Sequence, residues 1–179
     1  MTFDAVDLAC DLLIIGGGAA GCVAAVEARE RDPSLRVIVL EKAHVYRSGC
    51  LAAGISALNA YLTVGETAES FLRYAVRETV GVVRDDLTIS MAHELNAQVK
   101  RVEEWGLPIP RDELGNPLKR GRASIKIFGE RIKPILGRRA EASGATILNR
   151  VNATGLALRD GRVVGAYGFG VRDGRFYRV

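Results

Sequence analysis

Three spaced glycines and one carboxylate carry most of the chemistry legible in this sequence. Gly16-Gly17-Gly18-Ala19-Ala20-Gly21 satisfies the G-x-G-x-x-G spacing, and Glu41 stands 20 residues after Gly21. Such a run serves a phosphate when it follows a strand and opens a helix. Gly16 then permits the sharp turn, Gly18 lets a pyrophosphate approach the backbone, and Gly21 lets helix and strand pack closely. Unpaired N–H groups and the helix macrodipole around Ala19 and Ala20 favour the anion. An acid at Glu41 suits ribose hydroxyls and disfavours a 2′-phosphate.

Those residues need particular elements around them. Leu12-Leu13-Ile14-Ile15 is an unbroken apolar run that stops at the glycines, and reads as a strand buried on both faces of a parallel sheet. Residues 19 to 31 read as an alanine-rich helix ended by Asp32-Pro33-Ser34, and residues 36 to 41 as a second buried strand. Together they make one β-α-β unit. Residues 42 to 65 are rich in Gly, Ala and Ser and read as a long loop with one short helix. Ala68, Phe71, Leu72, Ala75 and Val76 recur at helical spacing behind a Thr67 cap. A second amphipathic helix follows Arg84-Asp85-Asp86, with Trp105 near its end as a core anchor.

Prolines and glycines between 106 and 124 mark a surface excursion, and residues 125 to 128 read as a short strand. Pro134 suits the first turn of a helix that reaches Ala142. Residues 146–149, 152–159, 162–172 and 175–179 read as strands of an antiparallel meander, with Asp160-Gly161 and Asp173-Gly174 as tight turns. The expected fold class is α/β, in one domain over 1–179. Its segments are a dinucleotide-binding βαβ unit with its following loop (1–60), a helical insertion (61–145) and a β-meander (146–179).

Composition narrows the function. With 48% hydrophobic residues and 25 Lys+Arg against 21 Asp+Glu, the 179-residue chain is expected to fold, not to be disordered. Cys10, Cys22 and Cys50 form no C-x-x-C pair, so neither a zinc site nor a closed disulfide set is expected, and a reducing cytoplasm is. MTFDAVDLAC lacks the basic start of a secretory signal, and the apolar stretch from Leu12 to Val26 is interrupted by four glycines, so no membrane span is expected. Lys119-Arg120-Gly121-Arg122 has no aromatic neighbours and reads as a solvated loop, so nucleic acid is not an expected partner. Cys22 reads as helix–sheet packing, Cys50 as a small filler, and His44 and His93 as surface residues.

The stretch after Glu41 separates a flavin dinucleotide from a nicotinamide one. From Lys42 to Leu58 the chain is longer and richer in small residues than the short loop of a plain NAD domain. Here it resembles the flavoprotein subunits of the fumarate reductase/succinate dehydrogenase superfamily, and within it most resembles the alpha subunits of adenylylsulfate (APS) reductases. The resemblance rests on IIGGGAAGCVAA, EKAHVYRSGCLAAGISALNAYL, GVVRDDL, EEWGLPIP, GERIKPIL and VVGAYGFGVRDGRFYRV, in the family's order over most of the chain.

It implies a Rossmann-like FAD-binding domain of the glutathione-reductase type. The FAD pyrophosphate would lie over Gly16, Gly18, Ala19, Ala20 and Gly21, with the ribose on Glu41 beside Lys42. Arg47-Ser48-Gly49 and the segment through Ala53 and Gly54 would follow the ribityl chain and flavin edge, and backbone around Val151 would meet the adenine. Asn59 would stand near the flavin. Gly49 occupies the position of the histidine that bonds covalently to flavin in succinate dehydrogenases, so the resemblance implies non-covalent FAD.

The implied activity is a flavin-dependent oxidoreduction, two-electron chemistry at flavin N5 on a small-molecule substrate. Electrons would be exchanged through an iron–sulfur, ferredoxin-like partner subunit. The resemblance also implies that the chain ends before the strand that returns to the sheet. An alternative reading is a non-catalytic nucleotide-binding or assembly fragment that needs another chain to complete it. A plain NAD-dependent dehydrogenase fits the long loop and the meander poorly.

Overall fold

The computed structural model describes residues 5–62 and 65–179. Met1–Asp4, part of the stretch read as lacking a signal, and Thr63-Val64, part of the expected long loop, lie outside the described residues. The elements fall into two compact units, one from the N-terminal part through Ala53 together with Ile132–Val179, the other Gly54–Arg131.

The first unit is built on a parallel sheet. Strands β2 (Leu12–Ile15) and β3 (Val37–Glu41) pair in parallel and flank the helix α1 (Ala19–Arg31) in sequence. Strand β6 (Thr146–Asn149) pairs in parallel with the other edge of β3, giving the order β2-β3-β6. Every residue of β3 is buried, as a central strand covered on both faces requires. Its Ile38 and Leu40 join Val151, Leu13, Leu148 and Tyr177 in one apolar cluster. The side chains of Val37 and Val39 alternate to the opposite face, and α1 and α4 (Ile132–Ala142) pack together in this unit, with Val26 of α1 and Leu136 of α4 both buried. Strand β2 was expected to be buried on both faces. It is only half-buried, with Ile15 52% exposed, because among the described residues it is the edge of its sheet.

A second sheet has the order β1-β9-β8-β7, from β1 (Ala5–Asp7), β7 (Val151–Arg159), β8 (Arg162–Gly170) and β9 (Phe176–Arg178). The antiparallel pairs β7–β8 and β8–β9 are the expected meander. Two features differ from expectation. Strand β6 belongs to the parallel sheet, and Arg150, at φ 64°, turns the chain from it into β7. Strand β1, unforeseen, pairs in parallel with β9 and is tied there by the Arg178 guanidinium on Asp7.

The second unit centres on α2 (Ala68–Glu78) and α3 (Asp85–Glu104), which pack through Ala68, Phe71 and Ala92 with Tyr61, Tyr74 and Leu95 around them. The expected Thr67 cap is present as a reciprocal box: Ser70 N–H donates to Thr67 Oγ1 and Thr67 N–H to Ser70 Oγ. An antiparallel pair of β4 (Ala57–Asn59) and β5 (Ser124–Lys126), which brackets both helices in sequence, completes this unit, β4 arising within the segment expected to be loop. Trp105 is not a core anchor. It caps α3, half-buried, with the Arg101 guanidinium 5.0 Å above its ring, one helical turn back.

Candidate functional site

The glycine run turns as its residue types demand. Gly16 adopts φ +103°, open to glycine and rarely to other residues, and its N–H continues the sheet by donating to Leu40 O at 2.8 Å. A Cβ on Gly21 would stand 1.9 Å from Gly16 O and 3.3 Å from Ile14 Cγ2, so α1 packs on the turn and strand with no room for a side chain. A Cβ on Gly18 would meet nothing within 4 Å, so its outer side is open.

Helix α1 starts without a side-chain cap and without an acidic residue in its first turn. Among the described residues, the amides of Gly18, Ala19, Ala20 and Gly21 have no hydrogen-bond acceptor. This end of the macrodipole is therefore left for an anion, while Arg29 and Arg31 complement the other end. Glu41 closes the opposite wall. It is 4% exposed, and its carboxylate accepts from Gly17 N–H at 2.9 Å and Ala43 N–H at 2.7 Å, one bond to each oxygen. Each oxygen keeps a further lone pair, so two hydroxyl donors can still be received.

These parts meet in a cleft of about 200 Å³ lined by Gly16, Gly18, Glu41, Lys42, Ser48, Gly49 and Val151, together with Ile15, Leu40, Asn152 and Ala153. Ser48 Oγ is the one buried side-chain polar atom without a partner among the described residues. Seven of the sequence-derived positions thus share one cavity. Ile15, Leu40, Asn152 and Ala153 were missed, because apolar strand ends and a β7 residue carry no motif of their own. Ala19, Ala20 and Gly21 lie on the first turn of α1 directly behind Gly18.

The remaining positions lie elsewhere. Arg47 is exposed, and its N–H donates to His44 O. Ala53 ends a short 3₁₀ turn, Cys50–Ala53, and is exposed. Gly54, at φ +86°, and Asn59, the exposed last residue of β4 opposite Ser124, belong to the second unit. Cys22 packs as expected and in addition donates its thiol to Gly17 O at 3.3 Å; burial pushes that thiol's pKa up. His44 is half-buried against Tyr46, with Nδ1 accepting from the Tyr46 N–H.

The family described as "FAD binding domain" matches residues 11–178. The chain belongs to that family. Its cofactor is FAD. The alpha subunit of adenylylsulfate reductase from Megalodesulfovibrio gigas is 34% identical over 93% of this chain, which spans 29% of that subunit. The 8-methylmenaquinol:fumarate reductase flavoprotein subunit of Wolinella succinogenes is 37% identical over 62% of the chain, equal to 18% of that subunit. The solved adenylylsulfate reductase of Archaeoglobus fulgidus superposes with a TM-score of 0.90 at 35% identity, covering 98% of this chain and 29% of that one. A fumarate reductase structure from Escherichia coli shares the fold at 19% identity, with a TM-score of 0.86.

The residues present fit such a dinucleotide. Free amides at α1, an open approach over Gly18, a held carboxylate at Glu41 and an orphaned Ser48 hydroxyl are the donors and acceptors that phosphates and ribose hydroxyls need. At about 200 Å³ the cleft encloses part of FAD only, below the roughly 300–1,000 Å³ usual for a whole small-molecule site.

Proposed function

We propose that this chain, residues 1–179, is the FAD-binding part of a flavin-dependent oxidoreductase of the adenylylsulfate reductase/fumarate reductase type. The pyrophosphate rests on the amides of Gly18, Ala19, Ala20 and Gly21, with Gly16 shaping the turn, and the ribose hydroxyls donate to Glu41. Val151 borders the adenine, Lys42 flanks the ribose, and Ser48 offers its hydroxyl to the ribityl side, next to Arg47 and Gly49. Ala53, Gly54 and Asn59 are assigned to the flavin side from the sequence resemblance. By the resemblance, with Gly49 at the position of the flavin-bonded histidine of succinate dehydrogenases, the cofactor is held by non-covalent contacts. When bound, FAD supplies two-electron chemistry at N5; the chain's own part is to bind, orient and shield it.

By the same resemblance, a small-molecule substrate is reduced or oxidised, an iron–sulfur, ferredoxin-like subunit exchanges the electrons, and the setting is cytoplasmic. Among the described residues no helix is long and apolar enough to cross a membrane. The observation that carries the reading is that Gly18, whose amide begins the run left unpaired at α1 among the described residues, lines one cleft with the Glu41 carboxylate and the unpartnered Ser48 hydroxyl. Anaerobic reduction of the FAD-loaded chain by a viologen dye tests it. A reversible two-electron transition at a potential displaced from that of free FAD supports it; a bound flavin titrating like free FAD contradicts it.

A second reading, an assembly fragment completed by another chain, is favoured by the exposed apolar residues of the meander, Leu158 at 65% and its cross-strand partner Val163 at 60%. Electron transfer by the isolated chain counts against it.

A further inference from the structure

Lys133 is the largest side chain with less than 2% exposure among the described residues, and neither the cleft nor the proposed cofactor contacts use it. It sits in the first turn of α4, flanked by Ile132 and Pro134. Its Nζ donates to Gly17 O at 2.5 Å and to Val45 O, and lies 3.6 Å from Cys22 Sγ. Three donors therefore meet three acceptors, taken from the glycine turn, the segment after β3, and α1. No carboxylate is paired with this ammonium among the described residues, so a buried charge is held by carbonyl dipoles and a thiol. A buried ammonium is costly, and an apolar residue at the same place would avoid that cost.

Its place on Gly17 suggests what the charge does. The Gly17 N–H is taken by Glu41 and the Gly17 carbonyl by Lys133, with the Cys22 thiol added. A run of three glycines can flip its peptide planes easily, because either sign of φ is open to each residue. A flip of the Gly17–Gly18 peptide would aim the Gly17 carbonyl at the phosphates and turn the Gly18 N–H away. In a planar trans peptide the C=O and N–H point in opposite directions, so holding Gly17 O inward holds Gly18 N–H outward.

We propose that Lys133 is a positioning residue for the FAD pyrophosphate, a clamp that locks the Gly17–Gly18 peptide in its anion-accepting orientation. The role rests on the proposed placement of FAD over the α1 amides.

Lys133→Met tests it, since it keeps the length and apolar stem and removes all three donors. The variant is expected to bind FAD and ADP about tenfold more weakly, equally for both because both carry the pyrophosphate. The apo melting temperature should fall only modestly, because Val45 O loses its donor while the cost of burying the ammonium is removed. The Gly17 carbonyl ¹³C resonance in the apo chain should move upfield as its ammonium donor is lost, while amide exchange in the middle of α1 stays unchanged. Wild-type affinity for both ligands, measured well below the apo melting temperature where the variant is folded, would overturn the clamp. If the wild-type chain bound neither ligand, the cofactor placement would fail by itself. The Gly17 carbonyl resonance would then still decide: an upfield shift in the variant upholds the lock on the peptide, and an unchanged resonance overturns it. Should Lys133→Met not fold, Lys133→Gln, uncharged but able to donate to Gly17 O, is expected to show a smaller loss, and equal loss of folding in both would overturn the role.

Discussion

Gly18 and Gly21 share a motif and have opposite requirements. Gly21 is glycine for packing: a methyl there would lie 1.9 Å from Gly16 O, backbone that is itself fixed to β3. Gly21→Ala is expected to destabilise the chain by about 3 kcal/mol or more, read as a lowered denaturant midpoint. Gly18 has φ −68°, allowed to alanine, and free space outside it. Gly18→Ala should therefore melt like the parent and yet lose FAD, because its methyl occupies the phosphate approach. Glu41 is constrained in a third way. Its two oxygens each hold a backbone amide, so Glu41→Gln turns an NH₂ against one of those N–H donors. A loss of about 1–3 kcal/mol in FAD binding is expected, measured by quenching of flavin fluorescence on titration.

Among the elements, the parallel pair β2–β3 begins at a fixed point. Asp11, just before β2, accepts from the Arg36 N–H at 2.8 Å and from its guanidinium at 3.0 and 2.8 Å. The Arg36 guanidinium, followed by its backbone N–H, pulls the Asp11 carboxyl down from its ordinary 3.8 to about 2. A carboxylate with a lowered folded pKa stabilises the fold above the unfolded value and loses that contribution as pH falls through the folded one. The melting temperature of the parent should therefore drop between pH 4 and pH 2 more than that of Asp11→Asn, and the two should converge at the acid end. Both side chains are solvent-accessible, so added salt should narrow the difference.

The same elements show what can be read locally. Helix α1 was legible to the residue, from Ala19 to Arg31, because glycines precede it and Asp32-Pro33 follows. Strand β3 was legible from its unbroken apolar run. Strand β1 was not, since three residues alternating in exposure gain their identity only from β9, at the other end of the chain. Strand β6 was recognised as a strand but joined to the wrong sheet, because its partner β3 is over a hundred residues away. In the site, motif spacing located Gly16, Gly18 and Glu41, whereas Lys133 looks like any helix-surface lysine until Gly17, 116 residues earlier, is seen beside it.

At the scale of the whole molecule, the chain spans 29% of the adenylylsulfate reductase alpha subunit it resembles. Its first unit leaves apolar surface uncovered: Ile15, Leu156, Val163 and Val164 line a groove of about 480 Å³ beside the open edge of β2. The Rossmann-like core around α1 and β3 nonetheless contains the parts assigned to the pyrophosphate and ribose, with only part of the cofactor enclosed. Cofactor retention by these residues, without a covalent bond, is thus what most needs testing. The visible spectrum of the purified chain, recorded before and after adding FAD and again after acid precipitation, measures it directly. A structured flavin band that stays with the protein through desalting and passes entirely into the acid supernatant is the expected result. A chain that takes up no FAD, or flavin that stays with the precipitate, would contradict it.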